Sequence, residues 1–101
     1  MTRRAKVRLR WLRSPAVAAS LRTDRLCRPA RFDHQGADWT AGAWSLVLSE
    51  GETLDEMGAQ TATAQFLMPD APHEWLAPGK GFTIFEGDQA LVEGTVERLL
   101  L

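Results

Sequence analysis

Residues 81–94, GFTIFEGDQALVEG, contain two short stretches in which apolar and polar residues alternate around a Gly-Asp pair. Alternation with period two is typical of a β-strand that buries one face. Phe82 and Ile84 share one face of the first stretch; the matching face of the second carries Ala90, Val92, Gly94 and Val96. Gly87 can adopt the positive φ that a tight turn between antiparallel strands requires. The segment therefore predicts a β-hairpin.

Four further segments have strand character, namely 6–12 (KVRLRWL), 30–36, 43–49 and 61–68. In 6–12, Val7, Leu9 and Trp11 alternate with three cations, which predicts one buried and one exposed face. In 61–68, the predicted buried face carries Ala62, Ala64, Phe66 and Met68. Residues 14–26 predict a loop with a short helix, in which Ser14 is the N-cap and Pro15 the first residue. Short strands separated by turn signals indicate an all-β barrel or sandwich.

Length and composition limit the chain to one soluble domain. A chain of 101 residues with 45% hydrophobic and 25% charged residues predicts a single domain over 1–101, with a flexible basic N-terminus at 1–5. No apolar run reaches the roughly 20 residues that span a bilayer. Arg8, Arg10 and Arg13 interrupt the region where a signal peptide would be apolar. Because Cys27 is the only cysteine, a reducing, cytoplasmic location is expected.

The charge is distributed unevenly along the chain. Residues 1–31 contain ten Arg or Lys and one acid, whereas residues 32–101 contain two basic residues and twelve acids. Such blocks can indicate a nucleic-acid contact. Alternatively, the basic and acidic parts lie side by side in the fold and compensate one another. The sequence leaves both interpretations open.

Residues capable of catalysis are few and do not form a recognisable pattern. No serine lies in a Gly-x-Ser-x-Gly turn, and "GKG" at 79–81 lacks the rest of a phosphate-binding loop. Asp33 and His34 would point to opposite faces of a strand, which disfavours a shared metal with Asp38. His73 precedes an acid in a loop bounded by prolines. We therefore expect no enzyme activity, no metal and no cofactor.

The four tryptophans divide into two pairs. Trp11 and Trp44 lie on apolar strand faces and are predicted to be in the core. Trp39 and Trp75 lie in predicted loops, where an exposed indole would mark an interaction surface.

The last twenty residues resemble a known family. FTIFEGDQALVEGTVERLL (82–100) is similar to the final hairpin of the bacterial elongation factor Tu family, F-x-I-R-E-G-G-x-x-V-G-x-G-V-V. The matching residues are Phe82, Ile84, Glu86, Gly87, Gly94 and Val96. Upstream, TATAQFLMP, RPARF (28–32) and AKVRLRWL look like other strands of the same barrel. The resemblance covers about residues 5–100 and is specific only in the last twenty.

The resemblance implies a six-stranded antiparallel β-barrel like the C-terminal domain of that factor, as a stand-alone chain without its GTPase domain and without GTP binding. In the family this barrel is a non-catalytic binding surface for tRNA and protein partners. The turn at Glu86 and Gly87 corresponds to a tRNA-facing turn. Here Phe85, Asp88 and Gln89 replace residues that are basic or glycine in the family, which disfavours contact with phosphates.

Two functions follow as hypotheses. The first is a protein-binding module of the translation-elongation-factor barrel type; its candidate residues are Trp39, Trp75, Glu86, Gly87 and Asp88. The alternative is an RNA-binding or tRNA-binding module that uses the basic N-terminal third; its candidate residues are Arg3, Arg4, Arg8, Arg10, Arg13, Arg28 and Arg31. A homodimer is a further expectation, because a barrel that packs against sibling domains retains apolar faces when they are absent.

Overall fold

The strands of this chain close into a six-stranded antiparallel β-barrel, in a computed structural model that describes residues 3–13 and 15–100. The elements are β1 (Arg4–Trp11), α1 (Pro15–Ser20), β2 (Leu26–Phe32), β3 (Trp44–Ser49), β4 (Ala59–Phe66), β5 (Gly81–Glu86) and β6 (Gln89–Leu100). Short 3-10 helices lie at Trp39–Gly42 and His73–Trp75. The predicted all-β class and barrel architecture are confirmed.

Around the barrel the strand order is β1-β4-β3-β2-β5-β6, and β6 closes onto β1. Every neighbouring pair is antiparallel. In this six-membered ring, β1 and β2 are three strands apart in either direction. They therefore lie on opposite sides of the barrel although they are consecutive strands in the sequence.

The β5–β6 hairpin forms where the alternation predicted it. Gly87 has φ 63° and occupies the first position of a two-residue turn, a conformation that glycine adopts without steric cost. Phe82 pairs with Gly94 across the hairpin. A Cβ on Gly94 would lie 2.3 Å from Cζ of Phe82, so the buried ring occupies the space that a side chain would need.

The core lies inside the barrel and is formed by the strand faces that the alternation predicted to be buried. Val7, Leu9, Phe82 and Ile84 are buried, and Trp11 and Trp44 pack partly buried against the same cluster. The buried residues of β4 are mainly small, and bulky phenylalanines at one end occupy the remaining space; these phenylalanines are Phe32, Phe66 and Phe82.

At the other end of the barrel, a buried glutamine joins three segments. The Nε1 of Trp11 donates to Oε1 of Gln60 at 2.8 Å. The Gln60 Nε2 donates to the carbonyl of Ala18 in α1 at 2.9 Å and to that of Glu52 at 2.8 Å. Because these bonds satisfy the buried amide, they hold α1 over the end of the barrel.

Two strands differ from their predicted bounds. β2 begins at Leu26 and ends at Phe32, because the chain turns there and Gln35 Oε1 accepts from the Phe32 amide at 2.9 Å. The prediction of a strand over 30–36 missed the first half, since Pro29 cannot donate to a sheet ladder. β4 ends at Phe66, so Met68, predicted to be buried, lies beyond the strand and is exposed.

The segment 1–5, predicted as a flexible N-terminus, overlaps the first strand. Arg4 and Ala5 belong to β1, and Ala5 is buried between Ala64 of β4 and Leu99 of β6. Its side chain belongs to the core cluster inside the barrel, a role that the basic residues around it conceal in the sequence. Ser14, the predicted N-cap, lies outside the described residues, although α1 does begin at Pro15. Among the described residues, no helix is long and apolar enough to cross a membrane.

Candidate binding surfaces

The outer face of β1 carries a ladder of cations, most of which have acidic partners. Arg4 contacts Glu50 at 3.0 Å, and Lys6 contacts Glu52 at 2.9 Å. Arg10 contacts Glu93 of β6. The acidic residues come from the β3–β4 connection and from β6, both of which flank β1 in space. This part of the basic N-terminal third is therefore compensated by acids from the rest of the chain.

The pairing alters the titration of one of these carboxyls. The hydrogen bond from Lys6 lowers the pKa of Glu52 below its ordinary value, and the Thr61 hydroxyl and the charge of Lys6 act in the same direction. Both partners lie at the surface. Solvent therefore screens the interaction, and its contribution to folding is small.

The seven candidate RNA-binding arginines do not form one surface. Five lie on β1 or next to it, namely Arg3, Arg4, Arg8, Arg10 and Arg13, and the other two, Arg28 and Arg31, lie on β2. Since β1 and β2 are on opposite sides of the barrel, one nucleic-acid strand cannot contact both groups along a single face. The structure therefore divides the predicted set.

On the β2 side of the barrel, three side chains form a cluster that we call the aromatic patch. The rings of Trp39 and Phe85 lie 4.8 Å apart, and the Arg31 guanidinium carbon lies 5.3 Å from the centroid of the Phe85 ring. All three are partly exposed. The cluster combines a cation–π contact with two aromatic faces. Tryptophan and arginine are enriched among the residues that contribute most of the binding energy at protein interfaces.

The β5–β6 turn lies directly after Phe85 of the aromatic patch in the sequence. Glu86, Gly87 and Asp88 are exposed and continue from Phe85. Four of the five candidate protein-binding residues, Trp39 and these three, therefore lie on one side of the barrel. The fifth, Trp75, lies apart from them and packs against Phe32 and His34, with ring centroids 5.5 Å and 4.5 Å away.

Sequence reasoning did not identify Arg31 and Phe85 as neighbours of Trp39. The connection between β2 and β3 brings Trp39 onto the Phe85 ring, and no periodic pattern reports such a contact between a loop and a strand. Arg31 and Thr83 are paired across β2 and β5, so the strand register places Arg31 near Phe85. Knowledge of that register would have predicted the contact between Arg31 and Phe85, but not the position of Trp39.

The residues considered for catalysis remain dispersed. Asp33 and His34 are exposed at the end of β2, and the described residues contain no group of three His, Cys, Asp or Glu arranged to hold a metal ion. The His73 Nε2 lies 2.8 Å from the Pro69 carbonyl oxygen. Cys27 is partly exposed on β2.

The fold and surfaces thus define the class of the molecule as a small, closed, antiparallel β-barrel with an aromatic patch on one side. Neither the models of protein families, nor the curated proteins, nor the solved structures gave a match to this chain.

Proposed function

We propose that this chain is a non-catalytic, protein-binding β-barrel module that acts in the cytoplasm, of the kind that its resemblance to the elongation factor Tu C-terminal barrel suggests. The observation that carries this proposal over RNA binding is the pairing on β1. Three of the four cations on that strand contact carboxylates, at Glu50, Glu52 and Glu93.

Paired cations contribute less to RNA affinity than free ones. Binding to a nucleic acid gains much of its free energy when cations replace the counterions condensed on phosphates. An arginine that already contacts a carboxylate must give up that partner, and the acid beside it repels the phosphate. The β1 ladder is therefore a weak site for RNA.

The aromatic patch is the surface that we assign to protein binding. Trp39 and Phe85 offer apolar area that is already ordered, and Arg31 offers donors for a partner's carbonyl or carboxylate groups. The exposed acids Glu86 and Asp88 beside the patch would repel phosphates but can pair with lysine or arginine of a protein. The charges therefore favour a protein partner over a polyanion.

Photo-crosslinking tests the proposal. A benzophenone side chain placed at position 88, beside the patch, should give discrete protein adducts in a native lysate of the source cells. The same group at position 70, on the β4–β5 connection, serves as the positional control. Trp39→Ala should reduce the position-88 adducts at least about fivefold, the effect of losing roughly 1 kcal/mol of binding energy. Thr40→Ala, in the same exposed turn, should leave them unchanged.

A tRNA mobility shift gives the competing outcome. If the module binds RNA, the complex should weaken steeply with salt, with a log–log slope of roughly 0.7–0.9 per phosphate contacted. Such a complex, abolished by Arg8→Gln and unaffected by Trp39→Ala, would replace the protein-binding proposal. Equal adducts at positions 70 and 88 would also contradict it.

A further inference from the structure

A groove crosses the outer face of β1 on the side of the barrel away from the aromatic patch. It has a volume of about 470 Å³, and its walls include Arg8 and Arg10 of β1, Glu93 and Thr95 of β6, and Met57 of the β3–β4 connection. We refer to it as the β1 groove. None of its residues belongs to the aromatic patch, so it is a separate surface.

Arg8 is the exception in the cation ladder. Its neighbours across the two adjoining strands are Thr61 of β4 and Thr95 of β6. Arg4, Lys6 and Arg10 each contact an acid, but within the described residues Arg8 forms no ion pair. The side chain is exposed and lines the groove. One guanidinium is therefore available to a ligand at this position.

Met57 supplies an apolar contact beside this cation. It is 85% exposed, the most exposed of the large apolar side chains in the described structure. The backbone that carries it is held in place, because Asp55 Oδ1 accepts from the amides of Met57 at 2.8 Å and Ala59 at 2.9 Å. A fixed backbone with a flexible thioether side chain is suited to contact apolar groups of varied shape.

The charges of the groove limit what it can bind. Arg8 and Arg10 supply two positive charges, and Asp55 and Glu93 supply two negative ones. Since Arg10 is paired with Glu93, Arg8 is, among the described residues, the one cation without an ion pair in a groove whose formal charges sum to zero. A chain of phosphates would meet the two carboxylates, whereas a ligand with a single carboxylate can pair with Arg8 alone.

We propose that the β1 groove binds an extended segment of a partner protein that carries one acidic residue next to an apolar residue. The carboxylate pairs with Arg8, and the apolar side chain packs against Met57. The hydroxyl of Thr95, which lies beside Arg8 on the outer face and lines the groove, is available to the peptide backbone. This site does not depend on the aromatic patch, so either can be correct without the other.

Nuclear magnetic resonance titration of the ¹⁵N-labelled chain tests the groove directly. The probe is a capped synthetic hexapeptide with the central sequence Leu-Glu-Leu, and the matched probe replaces Glu by Gln. We expect shifts of the Arg8, Met57 and Thr95 amides, with binding of the Gln probe about fivefold weaker, as for loss of one exposed ion pair.

Two variants and one control assign the contacts. Arg8→Gln should remove the preference for Glu over Gln, and Met57→Ala should weaken both probes about fivefold. Arg28→Gln, which changes an exposed arginine on the opposite side of the barrel, should change neither affinity. Retained amide shifts elsewhere in each spectrum show that the variant is folded.

Three results would overturn this inference. The first is that the chemical shifts of the groove amides do not change up to the solubility limit of the probe. The second is equal affinity for the two probes. The third is Arg8-dependent binding of a short oligonucleotide that is tighter than binding of the peptide. The crosslinking test at position 88 is unaffected by any of them, so failure of the groove is distinguishable from failure of the aromatic patch.

Discussion

At the scale of single residues, the close contact between Gly94 and Phe82 shows how little space the barrel interior leaves. The Phe82 ring lies where a Cβ of residue 94 would be, with three ring carbons within 3.0 Å of that position. Interiors of proteins are packed as densely as organic crystals, so a displaced ring has few alternative positions. The Phe82 ring also packs against the Phe32 ring, with the two ring centroids 5.7 Å apart, and this neighbour limits its movement further.

Gly94→Ala should therefore destabilise the barrel. We expect a loss of about 1–3 kcal/mol, typical of overpacking a core, measured by urea unfolding followed by tryptophan fluorescence. Gly42→Ala is the control, because a Cβ there meets no atom within 4 Å. The double variant Gly94→Ala/Phe82→Leu should recover part of the loss, since the smaller side chain makes room. A neutral Gly94→Ala variant would contradict the packing described here.

At the scale of elements, β1 depends on its neighbours for charge compensation as well as for hydrogen bonds. β4 and β6 pair with β1 on its two sides, and Glu93 of β6 and two acids of the β3–β4 connection balance its cations. The acids follow β3 or lie in β6 and are distant from β1 in the sequence. The segment 4–11 is highly basic by itself but is largely balanced in the folded barrel.

The pair formed by Lys6 and Glu52 provides a pH-dependent test of this arrangement. Because Lys6 lowers the pKa of Glu52, Lys6→Met should raise that pKa toward its ordinary value of 4.5. A carboxyl whose pKa is lowered by folding stabilises the folded state above its unfolded pKa, and this contribution disappears as the pH falls through the folded pKa. In Lys6→Met, the free energy of unfolding should therefore fall less steeply as the pH is lowered near and below 4.5.

Carbon-13 NMR titration of the glutamate carboxyls measures the effect. Arg10→Met is the matched control, because Arg10 contacts Glu93 and should leave the pKa of Glu52 unchanged. An unchanged pKa of Glu52 in Lys6→Met would show that the ion pair does not form in solution.

At the scale of the whole molecule, the surface area is ordinary for a monomer, and three of the five large apolar side chains that are exposed in the described residues lie at one end of the barrel. The accessible surface of 5923 Å² is close to the roughly 5,700 Å² expected for a compact chain of this mass. Leu67, Met68 and Leu99 are exposed at the end of the barrel where β1 begins and where β4 and β6 end. Association through that end would cover all three.

We expect a homodimer that forms through this end in a concentration-dependent manner. Multi-angle light scattering should give a mass that rises from 11.2 kDa toward twice that value as protein concentration increases. Leu67→Glu should hold the protein as a monomer, because it places a charge in the contact. Met57→Glu, at the other end of the barrel, should not. A mass of one chain at every concentration would rule the dimer out.

Local patterns in the sequence predicted much of this molecule. Alternation identified the buried faces of β1 and β5, and Gly87 marked the hairpin turn, because backbone sterics and the two-residue period of a strand act between near neighbours. β2 was harder to place, since Pro29 interrupts the strand signal and the turn after Phe32 depends on Gln35. The buried role of Gln60 also has no local signature, because its partners come from β1, α1 and a loop.

The sequence by itself determined that the chain is built from strands, where its tightest turn lies and which faces are apolar. The tertiary structure alone decided that β1 and β2 lie on opposite sides of the barrel, that the cations of β1 meet acids from distant segments, and that Trp39 contacts Phe85. The physical reason is that strand formation depends on neighbouring residues, whereas strand order depends on which apolar faces can close together around one core. Charges and aromatic rings on the outside take their neighbours from that order.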